Sequence, residues 1–272
     1  MSQRGYIKDN LDYQGSTLHF LKFGKGEKLL FALHGYAENA IAFLTLSESL
    51  SESYTIIALD LPFHGETTWR SKSFRPEDIQ AIIELILVKE KQGSFSLMGY
   101  SLGGRLALMM VDHFDSNLQE LWLIAPDGLE NRWVDRMMKV PSFLRNKLYH
   151  WVEQPDWLIN FSKLLYRWKL VTGFVPKFLQ SELSTPARRD RAFGIWASLD
   201  HFHLMPLSKL KSKLIERKLP VKLFFGKKDK IIPAHLGTSL SKGAKHIEFQ
   251  LLEGGHHFLY ASLNKYLLSQ QT

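Results

Sequence analysis

Short apolar runs bounded by turn residues recur along the chain, and this pattern constrains the fold more than any other feature of the sequence. The runs are LLFALH (29–34), TIIALD (55–60), FSLMGY (95–100), LWLIA (121–125), VKLFFG (221–226) and HIEFQLL (246–252). Most are continuously apolar, which is typical of strands buried on both faces of a parallel sheet. A seventh run, TLHFLKFG (17–24), alternates between apolar and polar residues and predicts an antiparallel edge strand.

Segments with helical periodicity lie between these runs. They are PEDIQAIIELILVKE (76–90), LGGRLALMMVDHF (102–114), AHLGTSLSK (234–242) and FLYASLNKYLLSQ (258–270). Strand and helix therefore alternate from about residue 29 onward. This alternation predicts an α/β fold, with helices on both faces of a mostly parallel, doubly wound sheet.

The alternation stops between about residues 128 and 206, where the sequence predicts helices and no strand. The excess positive charge is concentrated there. Residues 128–218 contain 17 Lys and Arg against 8 Asp and Glu, whereas the remainder of the chain has a net charge of −1. We therefore expect two parts: a core made of residues 1–127 and 206–272, and a helical insertion at 128–205 that sits over the sheet.

The insertion is rich in aromatic residues and arginines. One helical face in DWLINFSKLLYRWK carries Trp157, Phe161, Leu164, Leu165 and Trp168. The aromatic residues predict a packed core for the insertion and an apolar chamber for a substrate, while the arginines favour an acidic substrate. The aromatic candidates are Trp133, Trp151, Trp157, Trp168, Trp196, Phe143, Phe161 and Phe193. The arginines are Arg132, Arg136, Arg145, Arg167, Arg188, Arg189 and Arg191.

The chain contains no cysteine, and this limits the chemistry that it can perform. Disulfides, a thiolate nucleophile and Cys-ligated metal sites are excluded, so serine is the leading type of covalent nucleophile. We predict no cofactor and no bound metal. The sequence has no phosphate-binding P-loop, and HFH at 201–203 lacks the spacing of further metal ligands.

The N-terminal sequence MSQRGYIKDN lacks the apolar core of a secretion signal. No apolar run approaches the roughly 18 residues that a membrane span requires. We therefore expect a soluble, cytoplasmic protein that acts on a small molecule, apolar or anionic. We expect no nucleic-acid partner and no stable insertion into a membrane, and the sequence leaves the oligomeric state open.

The run LMGYSLGG (97–104) places Ser101 among three glycines at a predicted strand-to-helix junction. A serine at such a junction sits on a sharp turn with its hydroxyl exposed, and small residues two positions before and after it prevent clashes. The start of the following helix offers backbone N–H groups to a developing negative charge. The motif therefore predicts that Ser101 is a nucleophile.

This junction, in its setting of alternating strands and helices, resembles the α/β-hydrolase family. The resemblance covers roughly residues 17–127 and 206–270, and the helical insertion stands in the place of that family's cap. It implies a serine hydrolase with a triad in the chain order Ser, acid, His. The family's Gly-His matches Gly255-His256 in LLEGGHHFLY, so His256 is the expected base and His257 the alternative.

Two carboxylates are candidates for the acid of this triad. In FFGKKDKIIP the family's G-x-x-D with a later proline matches Gly226, Asp229 and Pro233, so Asp229 is the expected acid. Its role is to orient the imidazole and fix its tautomer. Asp127, in IAPDGL after the preceding strand, is the rival, because some family members place the acid there.

Two further loops carry the resemblance. FALHGYAEN resembles the family's His-Gly loop, which implies that the backbone N–H groups of Tyr36 and Leu102 form an oxyanion hole, with His34 as a structural residue that holds the loop. LDLPFHGET resembles the family's D-x-P-G-x-G turn, but Phe63 replaces a glycine there. The resemblance therefore does not determine the geometry of this turn, and it places an aromatic ring near the pocket. Asp60, His64 and Gly65 are interpreted as structural.

The expected activity is cleavage of an ester or related acyl bond through a Ser-His-Asp triad and an acyl-enzyme, on a modest apolar ester. Ser101 excludes the family branches that use an Asp nucleophile. A lyase with the same triad also fits the sequence, because GYSLGGR resembles the menaquinone-pathway branch, in which the arginine that matches Arg105 helps to bind a carboxylate-rich substrate. A non-catalytic ligand receptor on the same fold, and an insertion that acts at a membrane surface, remain open as well.

Overall fold

The computed structural model describes residues 5–129 and 155–271, and an eight-stranded sheet forms its centre. The strands are β1 (Tyr6–Tyr13), β2 (Ser16–Phe23), β3 (Lys28–Leu33), β4 (Tyr54–Leu59), β5 (Phe95–Tyr100), β6 (Leu118–Ile124), β7 (Val221–Gly226) and β8 (Ile247–Leu252). Their spatial order is β1-β2-β4-β3-β5-β6-β7-β8. β1 and β2 pair antiparallel with their neighbours, and all strands from β4 to β8 in this order are parallel.

The antiparallel edge differs from the sequence prediction. β2 lies one position in from the edge, because β1, which the sequence analysis missed, covers it. The charged stretch YIKDNLDY shows little apolar patterning, and it becomes a strand through its hairpin with β2. Gln14 and Gly15 connect the two strands with φ values of 48° and 75°, as the two central residues of a type I′ hairpin turn require.

Helices connect the strands of the sheet, and further helices make up most of the insertion's described residues. They are α1 (Ser47–Leu50), α2 (Pro76–Glu90), α3 (Leu102–His113), α4 (Pro155–Arg167), α5 (Phe174–Glu182), α6 (Pro186–Ser198), α7 (Leu207–Arg217), α8 (His235–Ser241) and α9 (Leu259–Ser269). Short 3₁₀ helices occupy Ala40–Leu46, Leu199–His201 and His256–Phe258. α2 shows how local chemistry sets a helix start: Pro76 takes the first position, and the Asp78 carboxylate accepts a hydrogen bond from the Arg75 N–H at 2.7 Å.

The chain divides into two compact units. Within the described residues, the first unit comprises 5–70, 75–129 and 202–271, and it contains the whole sheet. The second unit comprises 71–74 and 155–201, so it includes a short segment before α2 that the sequence analysis did not assign to it. The Phe74 N–H donates to Ser198 Oγ at 2.9 Å and ties this segment to the end of α6.

The described part of the second unit is helical, as the sequence predicts, but its apolar face is not a packed core. Trp157, Phe161, Leu164 and Trp168 are 47%, 44%, 38% and 63% exposed. Six further candidates of the insertion lie outside the described residues; these are Trp133, Trp151, Phe143, Arg132, Arg136 and Arg145. Within the described ranges, no helix combines the length and the hydrophobicity that a membrane crossing needs.

The parallel strands determine where a site can form. Six consecutive strands in the sheet, β4, β3, β5, β6, β7 and β8, run in the same direction, so their carboxyl ends meet at one edge. Ligands of open α/β sheets bind outside this edge. The segments that carry His34, Ser101, Asp229 and His256 all follow the carboxyl end of one of these strands.

Candidate active site

Ser101 lies on a tight turn between β5 and α3. Its backbone adopts φ 50° and ψ −111°, a conformation that non-glycine residues rarely occupy and that costs of the order of 1–3 kcal/mol. A Cβ on Gly99 would lie 2.3 Å from the Gly103 carbonyl oxygen, and a Cβ on Gly103 would lie 2.0 Å from that of Leu33. The two glycines are therefore what allows the strand, the turn and the helix to approach so closely.

Backbone hydrogen bonds fix the direction of the turn. The Ser101 N–H donates to the Ile124 carbonyl oxygen at 3.0 Å, which ties the turn to β6. The Ser101 carbonyl oxygen accepts from the N–H groups of Arg105 at 3.1 Å and Asp127 at 2.9 Å. The turn is thus held on one side by α3 and on the other by the end of β6 and the residues that follow it. The strained Ser101 backbone therefore has little room to relax.

The side chains of Asp229, His256 and Ser101 form a continuous line of hydrogen bonds. His256 Nε2 lies 3.1 Å from Ser101 Oγ, and His256 Nδ1 lies 2.6 Å from Asp229 Oδ2. Asp229 follows β7, and His256 begins the 3₁₀ helix after β8. The Tyr100 O–H donates to the His256 carbonyl oxygen at 2.9 Å, so the strand that leads to Ser101 also anchors the backbone of His256.

Asp229 is buried, and its carboxylate is fully engaged. Oδ1 accepts from the N–H groups of Ile231 at 2.8 Å and Ile232 at 2.9 Å, while Oδ2 faces His256. Burial by itself raises the pKa of this carboxyl group, but the hydrogen bonds from His256 and Ile232 outweigh it and hold the pKa of Asp229 below its ordinary value. Asp229 therefore stays ionised and can stabilise a positive charge on the neighbouring imidazole.

The side chains of the rival candidates from the sequence do not take part in this line of hydrogen bonds. Asp127 Oδ2 accepts from Arg105 Nε at 2.9 Å, and the Arg105 Nη1 donates to the Phe202 carbonyl oxygen at 2.8 Å. The Arg105 side chain is only 1% exposed. The arginine that the lyase resemblance singled out is therefore engaged inside the first unit. His257 is exposed, with its ring centroid 5.8 Å from that of His256.

Two buried histidines shape the loop after β3. His34 Nε2 accepts from the Leu61 N–H at 3.0 Å, and His34 Nδ1 lies 2.7 Å from the Gly35 carbonyl oxygen. In the same way, His64 Nε2 accepts from the Ala37 N–H at 3.2 Å, and His64 Nδ1 lies 2.9 Å from the Pro62 carbonyl oxygen. These partners require neutral rings that carry their proton on Nδ1. Both histidines thus join the loop after β3 to the turn after β4, as their structural interpretation expects.

Phe63, which stands where the family has a glycine, adopts a backbone conformation that glycine takes more easily. Its φ is 67°, in the left-handed region that a bulky residue seldom adopts. The turn after β4 is held by Asp60, which accepts from the Ala40 N–H at 2.7 Å through Oδ1 and from the Glu66 N–H at 2.8 Å through Oδ2. Phe63 therefore holds a strained backbone within a turn that the Asp60 carboxylate stabilises.

The expected oxyanion donors lie in two segments that the structure joins. Leu102 is the first residue of α3, where a backbone N–H has no partner inside its own helix. The next N–H, that of Gly103, donates to the His34 carbonyl oxygen at 3.1 Å. The start of α3 and the loop that carries Tyr36 are therefore in direct contact.

The sequence analysis missed a glutamate in this loop. Glu38 Oε2 accepts from the Gly35 N–H at 3.2 Å and from the Tyr260 O–H at 3.0 Å. Glu38 belongs to the HGYAEN stretch, but a single loop glutamate carries no signature of its own. Its partner Tyr260 is 222 residues further along the chain, so only the fold reveals the pair.

Comparison with known proteins identifies the family of this chain. The model of the alpha/beta hydrolase fold family matches residues 28–262. The chain belongs to the α/β-hydrolase family. The predicted fold class is thereby confirmed, and so is the prediction of an α/β-hydrolase enzyme.

Curated relatives are distant in sequence. The chain is 26% identical over 244 residues to the pimeloyl-[acyl-carrier protein] methyl ester esterase of Vibrio parahaemolyticus, covering 86% of this chain and 88% of that protein. It is 23% identical over 238 residues to the human monoacylglycerol lipase ABHD6, covering 84% of this chain and 69% of that protein.

Solved structures share the fold. MGS-M2, an alpha/beta hydrolase from a deep-sea metagenome library, superimposes with a TM-score of 0.69 at 13% identity, covering 96% of this chain and 95% of that chain. The thioesterase domain from the curacin biosynthetic pathway superimposes with a TM-score of 0.64 at 16% identity, covering 97% of this chain and 99% of that chain.

Proposed function

We propose that this α/β-hydrolase cleaves carboxylic esters by nucleophilic catalysis, with Ser101 as nucleophile, His256 as base and Asp229 as orienting acid. The observation that carries the proposal is the line of hydrogen bonds through His256, with Nε2 3.1 Å from Ser101 Oγ and Nδ1 2.6 Å from Asp229 Oδ2. These are the contacts that a serine hydroxyl needs to become an effective nucleophile.

The first half of the reaction forms an acyl-enzyme. Ser101 Oγ attacks the carbonyl carbon of the ester while His256 Nε2 takes the hydroxyl proton. Asp229 accepts a hydrogen bond from the Nδ1–H, which keeps Nε2 free as the base and stabilises the imidazolium that forms. The imidazolium then gives its proton to the departing alcohol. In the second half, water attacks the acyl carbon while His256 Nε2 takes its proton. The bond between that carbon and Ser101 Oγ then breaks, the imidazolium returns the proton to Ser101 Oγ, and the carboxylic acid leaves.

The negative charge that develops on the carbonyl oxygen needs donors. We assign this role to the backbone N–H groups of Tyr36 and Leu102. The contact between Gly103 and His34 supports the assignment, because it brings the loop of Tyr36 to the start of α3, where the helix dipole also favours an anion. Each such donor contributes about 10²–10³ in kcat in enzymes of this type.

The named activities of the relatives support an ester as substrate. The Vibrio relative is a methyl ester esterase and the human relative is a monoacylglycerol lipase, and both act on esters of carboxylic acids. A lyase with a carboxylate-rich substrate is not favoured, because Arg105 is 1% exposed and holds Asp127 and the Phe202 carbonyl oxygen. We propose further that residues 128–205 act as the family's cap and select the acyl group, with a preference for apolar chains.

The proposal is tested with a fluorophosphonate probe and a series of p-nitrophenyl esters of increasing acyl length. We expect the wild-type chain to be labelled at Ser101 and to release p-nitrophenol, and Ser101→Ala to lose labelling and at least about 10⁴ of the turnover. Ser96→Ala is the matched control, since Ser96 is a buried serine of β5, the strand that leads to Ser101, and lies five residues earlier in the chain. It should keep both labelling and turnover.

Two outcomes would contradict the proposal. One is a folded wild-type chain that neither reacts with the probe nor hydrolyses any ester of the series. The other is a Ser101→Ala variant whose turnover equals that of the wild type, because the observed activity would then not depend on this serine.

A further inference from the structure

Glu38 occupies an unusual place, since its carboxylate closes the loop that carries one proposed oxyanion donor. The loop runs from Gly35 to Glu38, and the Glu38 N–H donates to the Gly35 carbonyl oxygen at 3.2 Å. The Gly35 N–H donates in return to Glu38 Oε2 at 3.2 Å. Two reciprocal hydrogen bonds therefore close this four-residue turn, with Tyr36 and Ala37 at its centre.

The backbone on both sides of Tyr36 is held in place. On one side, the Gly35 N–H is bound by Glu38, and the Gly35 carbonyl oxygen lies 2.7 Å from His34 Nδ1. On the other side, the Ala37 N–H donates to His64 Nε2 at 3.2 Å, and Ala37 adopts a φ of 62°. The direction of the Tyr36 N–H is therefore set by contacts of its neighbours, and Glu38 supplies one of them.

The same carboxylate oxygen also binds the helix that follows His256. Glu38 Oε2 accepts from the O–H of Tyr260, a residue of α9 that is 8% exposed. The Tyr260 ring packs against Tyr100 at a centroid distance of 4.8 Å, and the Tyr100 ring lies 5.1 Å from that of His256. Glu38 thus connects the Gly35–Glu38 loop to the rings of Tyr260 and Tyr100, which pack beside the proposed base His256.

The electrostatic setting of Glu38 agrees with this close packing. Burial raises the pKa of the Glu38 carboxyl group above its ordinary value, although the hydrogen bonds from Tyr260 and Gly35 and the neighbouring His256 and His257 oppose the rise. A carboxylate that is removed from water gains most from its remaining hydrogen bonds, and the loss of one is costly.

We propose that Glu38 is a positioning residue of the active site, whose carboxylate oxygen clamps the Gly35–Glu38 turn to Tyr260 and so aims the Tyr36 N–H at the developing oxyanion. This inference rests on the proposed function, and it deepens it by naming what holds the oxyanion donor in place. Glu38 acts through its oxygen as an acceptor of two hydrogen bonds, and it does not touch the substrate.

Three variants separate this role from others. Glu38→Ala removes both hydrogen bonds, Tyr260→Phe removes one, and Glu38→Gln removes the charge but keeps an oxygen that can accept both. An oxyanion donor stabilises mainly the transition state, so its misalignment affects kcat more than KM. We therefore expect Glu38→Ala to lower kcat by about 10- to 100-fold with KM within about twofold. Tyr260→Phe should fall between wild type and Glu38→Ala, and Glu38→Gln should stay within about threefold of wild type.

A second measurement reads the oxyanion hole directly. A trifluoromethyl ketone adds reversibly to a catalytic serine and places a negative oxygen where the tetrahedral intermediate has one. The inhibition constant of such a ketone should rise in Glu38→Ala by the same factor by which kcat/KM falls, since both depend on the same donor. A purely structural loss of folded protein would instead lower the concentration of active sites, which titration with the fluorophosphonate counts.

A matched pair at the far end of the strands serves as control. The Tyr54 O–H donates to Glu120 Oε2 at 2.8 Å, a hydrogen bond of the same kind near the amino ends of β4 and β6. Tyr54→Phe should leave kcat and the ketone inhibition constant unchanged.

The inference is overturned if Glu38→Ala keeps kcat within about twofold of wild type, or if Glu38→Gln falls as far as Glu38→Ala, because then the charge and not the hydrogen bonds would matter. Tyr260→Phe provides a test that does not depend on the folding of the Glu38 variants. Failure of the underlying function looks different, since the wild-type chain itself would then show no turnover and no labelling of Ser101.

Discussion

The two ends of the parallel strands are built differently, although the same strands form both. At the carboxyl ends, a non-glycine residue with positive φ follows each of β3, β4, β5 and β6; these residues are Ala37, Phe63, Ser101 and Ala125, with φ of 62°, 67°, 50° and 40°. At the amino ends, Lys91 before β5 and Lys218 before β7 also have positive φ. Those two lysines end α2 and α7 as left-handed caps, which is an ordinary way for a helix to stop.

The charged groups at the two ends also differ. Near the amino ends, Glu120 pairs with Lys222 at 2.8 Å, and the Lys222 ammonium lies 4.2 Å from the centroid of the Trp122 ring. At the carboxyl ends, Asp229 and His256 are buried and bind each other. Backbone strain that no helix cap explains therefore lies where the chemistry is proposed, while Glu120, Lys222 and Trp122 at the amino ends form contacts of the kind that stabilise a fold.

The largest expected effect separates two aspartates at the carboxyl ends. Asp229→Asn should lower kcat by about 10⁴, because the amide favours the wrong tautomer of His256. Asp127→Asn removes the carboxylate that pairs with the buried Arg105, so it should lower the free energy of unfolding by about 2 kcal/mol and leave kcat within about threefold. Steady-state kinetics and urea unfolding of both variants measure the two effects. A larger loss of kcat in Asp127→Asn than in Asp229→Asn would reverse the assignment of the acid.

A smaller effect concerns two glutamates whose pKa values move in opposite directions. For Glu120, burial by itself raises the pKa, but the hydrogen bond from Lys222 outweighs burial and the pKa is lowered. The stability that Glu120 contributes is therefore present above the ordinary glutamate pKa of about 4.3, and it is lost as the pH falls below that value. For Glu38, the pKa is raised by burial, so stability is lost as the pH rises above that value.

The two neutral variants should therefore respond to pH with opposite signs. Relative to wild type, Glu120→Gln should become less stable as the pH rises through the acid range, and Glu38→Gln should become more stable. The midpoints of urea unfolding, measured from about pH 3.5 to about pH 7 so that the titration of carboxyl groups is covered, test both. If the stability of both variants, relative to wild type, changed in the same direction with pH, the two ends would not differ in this respect.

The smallest expected effect compares two positive-φ residues that carry ordinary side chains. Ala37→Gly and Lys91→Gly both relieve a left-handed conformation, and each should raise the free energy of unfolding by about 0.5 kcal/mol. Only Ala37→Gly loosens the turn beside the proposed oxyanion donor, so it alone should lower kcat, by about threefold. Thermal unfolding and esterase kinetics provide the measurements. An equal kcat for the two variants would mean that the strain at Ala37 has no part in the activity.

Several features of this protein were predictable because they depend on neighbours in the chain. The apolar runs predicted the six parallel strands, since strands buried on both faces need continuous apolar sequence. The spacing of Gly99 and Gly103 around Ser101 predicted a turn that tolerates only small residues, and the structure shows the close approaches that require them. β1 escaped prediction because its strand pairing depends on β2 and not on its own pattern.

The sequence by itself determined the order of the elements and the kinds of side chains that follow each strand, because both are local properties. Only the tertiary structure decided which of them meet. In the folded chain Asp229 contacts His256, whereas Asp127 accepts a hydrogen bond from Arg105. The spacing of residues in the sequence left open which of the two aspartates faces the histidine. It also paired Glu38 with Tyr260, since a hydrogen bond between residues far apart in the chain exists only when packing holds both groups within about 3 Å of each other.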